Sequence, residues 1–258
     1  MTSWRFDARH PADAQEMLDD PRLAEPDAWR ALEDIAHSNR RLGGHRAILR
    51  EVGDLIRVAA REGRGPVTLL DAGAGAGDVA IELARWARGR GLPLRILALD
   101  SSPASMRLAA RAVGGDPSIE IVRGDALRLP FADGSIDVLH AGLLLHHVPR
   151  PDQAALLRRF ANVARIGFVV TDLRRSRWSL IALAVHARVA NAGPVFRHDA
   201  PLSVARGFTL SEARALAAAT ALRGLRVSRP AAGRVAWSLG PLPRREAQGR
   251  SPVASRET

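Results

Sequence analysis

Cysteine is absent from all 258 residues, which excludes disulfides, thiolate-bound metals, iron–sulfur clusters and cysteine nucleophiles together. No metal site is expected. Tyrosine is also absent, and aromatic residues make up only 4% of the chain. That leaves few surfaces on which bases could stack, and no appended RNA-binding module is legible, so nucleic acid is a disfavoured partner. No apolar run approaches the roughly 18–20 residues that a membrane span needs. The longest, Trp178 to Val185, soon meets His186 and Arg188. The first residues lack the apolar stretch of a signal peptide, and a cytoplasmic location is expected.

Lysine is missing too, so all 38 basic residues are arginine, giving a net charge of +11. The excess is confined to the second half. Residues 1–62 carry ten Arg against twelve acids, residues 63–149 nine against nine, and residues 150–258 nineteen against six. Such a block suits an anionic partner or lipid surface. Complete replacement of Lys by Arg is also what a GC-rich coding sequence produces, so the charge alone assigns no partner.

With 47% hydrophobic residues, the chain can bury an ordinary core. Residues 1–25 are polar and broken by proline, and read as a loose leader. Asp27 can cap a helix to about His37, Gly43-Gly44 interrupts it, and a second helix carries Ile48, Val52, Leu55, Ile56 and Ala59 on one face. After Gly63 and Gly65 the pattern turns to strand–helix alternation. Strands are expected near 67–70, 94–99, 119–122, 136–142 and 167–171, with two short ones near 225–228 and 234–239. Continuous apolar strands joined by helices imply a parallel sheet covered on both faces. Thr209-Leu-Ser-Glu212 is a capping box. The expected fold is α/β: a doubly wound, Rossmann-like seven-stranded sheet, mostly parallel with a final antiparallel strand. The expected division is a helical cap over 1–62, the main domain over 63–240 and a disordered basic tail over 241–258.

The strongest local signal is Leu69-Leu-Asp71-Ala72-Gly73-Ala-Gly75-Ala-Gly77-Asp78. A glycine-rich turn between the first strand and its helix lets a ligand approach the backbone, and the helix start offers free N–H groups. The spacing is G-x-G-x-G; the dinucleotide pattern G-x-G-x-x-G would need glycine where Asp78 stands. Asp100 ends the second strand, where a carboxylate can accept bonds from ribose hydroxyls. Asp125, just past the third strand, is placed to reach a nucleoside base.

These residues, with the run GDALRLPFADGSIDV over 124–138, resemble the class I S-adenosylmethionine-dependent methyltransferases, in the branch of the ubiquinone/menaquinone and natural-product enzymes. The likeness is close over roughly 67–172 and looser over 205–240. It implies S-adenosylmethionine as cofactor, with Asp71, Ala72, Gly73, Gly75 and Gly77 around its methionine part and Asp71 near the amino group. Asp100 and Ser101 would meet the ribose, Asp125 and Ala126 the adenine. His146 would lie after strand four beside the reactive methyl. Either His146 or His147 could take a proton from an oxygen acceptor, since only one of two successive side chains points inward. The chain departs from the pattern in lacking the usual glycine turn before strand five. It also has no Asn/Asp-Pro-Pro-Tyr/Phe motif after strand four, which disfavours amino-group methylation of adenine or glutamine.

Asp172, at the end of strand five, either reaches the acceptor or pairs with Arg174 or Arg175. Further substrate contacts are expected from Asn39, Arg40 and His45 near the glycine break, from Arg175, and from an apolar lid led by Trp178. The expected reaction is O-methylation of a small phenolic or enolic metabolite. Alternatives are C-methylation of a quinone precursor, RNA methylation, and a catalytically silent S-adenosylmethionine-binding partner protein. The reading leaves room for a homodimer.

Overall fold

In a computed structural model the chain is described over residues 6–230 and 233–241, so the expected tail lies outside the described residues but for Pro241. Helices α1 (Glu25–Arg41) and α2 (Gly44–Arg61) come first. Between them Gly43 takes φ +78°, a left-handed conformation that glycine adopts without strain, and this is the expected break. The sheet then assembles from β1 (Val67–Ala72), β2 (Leu94–Asp100), β3 (Ile119–Arg123), β4 (Ile136–Gly142), β5 (Ala164–Leu173), β6 (Arg226–Ser228) and β7 (Arg234–Leu239). The crossover helices are α3 (Asp78–Arg88), α4 (Pro103–Val113) and α5 (Arg150–Val163). Helices α6 (Arg177–Val189), α7 (Pro194–Arg206) and α8 (Leu210–Ala219) lie between β5 and β6.

The strand order is β3-β2-β1-β4-β5-β7-β6, with β7 antiparallel to both neighbours. The expected seven-stranded, mostly parallel sheet is therefore what forms. Its faces bury two cores. Leu70, Leu139, Phe160, Phe168 and Trp237 pack on one side, and Ile56, Leu69, Leu83, Ile96 and Val169 on the other. Helix α2 belongs to the second core: Ile48, Val52, Leu55 and Ile56 pack with strand residues of β1, β4 and β5. Helix α5 passes straight into β5 at Val163-Ala164, which accounts for the missing glycine turn. The chain reverses its winding between β1 and β4, so the carboxyl ends of these two strands open the crevice where doubly wound folds hold ligands.

Three segments differ from expectation. Helix α1 begins at Glu25 with Ala24 at its N-cap, so Asp27 lies within its first turn and does not cap it. Helix α7 had no sequence signature, because Pro201 sits inside it and its apolar residues follow no helical period. The later part of the leader is not loose: a 3-10 turn at Met17–Asp19 docks on α7, where the Met17 and Leu18 N–H groups donate to Asp199 at 2.8 and 2.9 Å.

Candidate active site

Asp71 and His140 are register partners on β1 and β4, at the floor of the crevice. The His140 Nδ1–H donates to Asp71 Oδ1 at 2.7 Å, and both side chains are buried. The second carboxylate oxygen of Asp71 and His140 Nε2 have no partner among the described residues, and both side chains line a chamber of ≈ 190 Å³ in the crevice. A buried polar atom without a partner is costly, so this pair is arranged for a ligand. Above it the turn runs through Gly73, Gly75 and Gly77, all at positive φ. A Cβ on Gly73 would lie 3.3 Å from Leu144, and one on Gly77 3.3 Å from Ala109, so the turn packs against both.

The Asp100 carboxylate spans two loops, accepting from Gly75 N–H and Ser102 N–H at 2.8 Å each. Burial pushes its pKa up despite these bonds. Asp100, Ser101, Asp125 and Ala126 line an outer groove of ≈ 890 Å³. Asp125 caps the turn after β3 through Leu127 N–H and accepts from Arg128 Nε. Groove and chamber share Gly73, Gly75, Leu143 and His147 as walls, so they adjoin at the glycine turn. The turn therefore has an elongated site beside it, with a wide arm toward β2 and β3 and a narrow arm over β1, β4 and β5.

His146 forms the narrow arm's far wall. Leu143 takes φ +55° and turns the chain out of β4 into a 3-10 turn at Leu145–His147, which Gln153 fastens by donating to the Leu145 and Val148 carbonyls. This departure from the strand is why alternation alone could not choose between the two histidines. His146 is the buried one. Its Nδ1–H and its backbone N–H donate to the two oxygens of Asp172, at 2.7 and 3.0 Å, while Nε2 faces Glu16 at 3.6 Å. Burial alone would lower its pKa, but the charges of Asp172 and Glu16 override that and push it up to about 10. The same contacts hold Asp172 and Glu16 below the usual carboxylate range, against the opposing effect of burial. His147 stands at the rim, bonded through Nδ1 to Asp19 at 3.2 Å.

The remaining expected substrate residues divide. Asn39 lines the chamber, donating to Asp78 and accepting from the buried Arg234. His45 bonds Asp78 at 2.6 Å and holds the second helix against the glycine turn, outside the chamber. Replacing His45 with Ala removes the main partner of a buried carboxylate and should cost about 1–3 kcal/mol of folding stability, measured by chemical denaturation. Asp172 pairs with neither Arg174 nor Arg175. Arg175 is a structural residue, donating to the Gly207 carbonyl and Glu212. Arg40 is exposed away from the chamber, and Trp178, 78% exposed, faces outward; from α6 only Leu183 reaches the chamber, beside Phe196 and Ala200 of α7. Sequence reasoning missed Glu16, His140, Arg234 and α7. His140 alone had a signal, as a polar residue inside an otherwise apolar strand.

An open α/β sheet with its site on the glycine turn at the switch point defines the class of protein, a Rossmann-like nucleotide-binding fold. Residues 69–167 match the family described as "Methyltransferase domain". The demethylmenaquinone methyltransferase of Roseiflexus castenholzii is 38% identical over 108 residues, 42% of either chain. That of Bacillus licheniformis is 34% identical over 110 residues, 43% of this chain and 45% of its own. The chain thus spans less than half the length of these curated relatives. Among solved structures, the plantazolicin methyltransferase in complex with SAH has a TM-score of 0.60 at 13% identity, covering 84% of this chain and 96% of its own. Human N-acetylserotonin methyltransferase in complex with SAM has a TM-score of 0.58 at 16% identity, covering 83% and 56%. Residues 69–167, less than half of the chain, thus match a methyltransferase domain, in line with the resemblance of its motifs. No helix among the described residues is long and apolar enough to cross a membrane.

Proposed function

We propose that the protein transfers a methyl group from S-adenosylmethionine to a hydroxyl of a small phenolic or enolic acceptor. The observation that carries this reading is His146, buried in the chamber wall with Nδ1 fixed by Asp172 and Nε2, without a hydrogen-bond partner, facing Glu16 at 3.6 Å. The residues present fit the cofactor. Asp71, with its unpartnered oxygen, suits the methionine ammonium, the Asp100 carboxylate the ribose hydroxyls, and Asp125 with Ala126 the adenine edge. When bound, S-adenosylmethionine supplies an electrophilic methyl group.

The chain's own task is then alignment and proton removal. The glycine turn fixes one side of the site. His146, oriented by Asp172, takes the acceptor's proton on Nε2 as the oxygen becomes a nucleophile. Glu16, 3.6 Å from that nitrogen, closes the chamber from the leader side and steadies the resulting imidazolium. A proton-accepting dyad favours an oxygen acceptor. C-methylation, suggested by the demethylmenaquinone methyltransferase relatives, would use the same dyad to deprotonate a ring hydroxyl and place the charge on carbon. Identifying which atom of a hydroxylated naphthoquinone or phenol gains the methyl, by mass spectrometry and NMR of the product, separates the two.

The first test is calorimetric titration with S-adenosylmethionine and S-adenosylhomocysteine, with NAD as control. Binding of the first two and not the third is expected; no binding of either overturns the reading. Replacing Asp100 with Ala should weaken S-adenosylhomocysteine by about 1–3 kcal/mol, the loss expected when bonds to a charged acceptor vanish. Unchanged affinity would remove Asp100 from the ribose site.

A further inference from the structure

Helix α6 presents an uncovered apolar stripe. Trp178, Ile181, Val185 and Val189 are 78%, 51%, 55% and 82% exposed, and their spacing of three, four and four places them along one line of the helix. Four large apolar side chains in one line are not the scattered exposure ordinary for a surface. The opposite side of the helix is seated: Ala187 is buried against Phe196 and Ala200, and Leu183 reaches the chamber.

The charges beside the stripe are all of one sign. Helix α6 contains no acid, and its Arg177 and Arg188 are exposed. Arg41, at the end of α1, is exposed as well and lies close enough to lower the pKa of His186 on α6. Among the described residues none of these three arginines has a carboxylate within ion-pair distance. Asp34, whose charge is felt by His186 of this helix, is buried and engaged by Arg30 and the Gly193 N–H. Two copies meeting through this stripe would crowd their arginines together with no acid on either helix to offset them. An anionic bilayer meets both requirements. The stripe enters the interfacial layer with Trp178 at one end, and the arginines extend to the lipid phosphates.

We infer that α6 is a docking helix for an anionic lipid surface, which sets the chamber lined by Leu183, on the helix's other side, toward the membrane. The inference does not depend on the methyl-transfer reading. Its test uses the full chain with sedimenting vesicles of phosphatidylcholine alone or mixed with phosphatidylglycerol. Binding to the mixed vesicles, weakened by salt, and far weaker binding to phosphatidylcholine are expected. The double variant Trp178→Ser/Val189→Ser should reduce partitioning at least about tenfold, given the loss of the largest exposed apolar groups. Arg177→Gln and Arg188→Gln should each reduce it about fivefold on mixed vesicles only. Circular dichroism of each variant checks that the fold persists, as the exposure of these side chains leads one to expect. No binding to mixed vesicles, or binding that neither set of variants weakens, overturns the inference. So does a dimer in sedimentation velocity that Trp178→Ser/Val189→Ser splits, because the stripe would then be an interface between copies.

Discussion

Replacing His146 with Ala is expected to slow turnover roughly 10²–10⁴-fold, the range that a positioned proton acceptor contributes, while leaving S-adenosylhomocysteine affinity nearly unchanged. His147→Ala should cost less than about tenfold, because its nearer partner is Asp19 at the rim and it is not the nitrogen held by Asp172. The pH dependence is the sharper test. With its pKa up at about 10, His146 is protonated at neutrality, and only the neutral minority can accept a proton. Below both pKa values, kcat/KM should therefore rise about tenfold per pH unit. The rise ends at the acceptor's own pKa or at about 10, whichever is lower, since an ionised acceptor no longer needs the base. Asp172→Asn removes the charge that raises His146, so the inflection assigned to His146 should move to lower pH and the plateau rate fall roughly 10²–10³-fold as the ring loses its fixed orientation. A flat profile in the wild type, or an Asp172→Asn profile with an unmoved inflection, would remove His146 from proton transfer.

How much of this was legible in the residues follows from physical range. The strands could be read because a parallel sheet buried on both faces demands apolar runs, and most of these runs end at a glycine or aspartate, as at Asp71, Asp100, Gly142 and Asp172. The glycine turn, Asp100 and Asp125 could be read because each is a local signal, one residue type at the end of one strand. The dyad is different in kind. Asp172 and His146 are 26 residues apart and Asp71 and His140 are 69 apart, so each pair becomes visible only when strand order and register are known. Glu16 is more remote still, delivered by a leader whose docking on Asp199 and Arg206 has no local pattern. Helix α6 failed in the opposite sense. Being apolar around most of its circumference, it gives no indication of which face meets the protein, and the face bearing Trp178 proved to be the outer one.

The second large effect concerns the floor of the site, where stability and binding should move in opposite directions. Asp71 carries a buried charge with one oxygen satisfied by His140 and one left free. An asparagine there keeps the shape and can keep the His140 bond, yet removes the uncompensated charge. Asp71→Asn should therefore leave thermal stability of the free protein unchanged or higher, since burying a charge without its counter-ion is unfavourable. Binding should suffer. If the free oxygen receives the ammonium of the methionine part, losing a charged partner should cost about 2–3 kcal/mol, or roughly 30–150-fold in the affinity for S-adenosylhomocysteine. A cofactor analogue lacking the amino group separates this from a general distortion of the floor: it should bind wild type and Asp71→Asn alike. If the variant instead loses both ligands together, or melts well below the wild type, Asp71 and His140 serve as a structural pair joining β1 to β4. The ammonium would then have to be held by another acid lining the chamber.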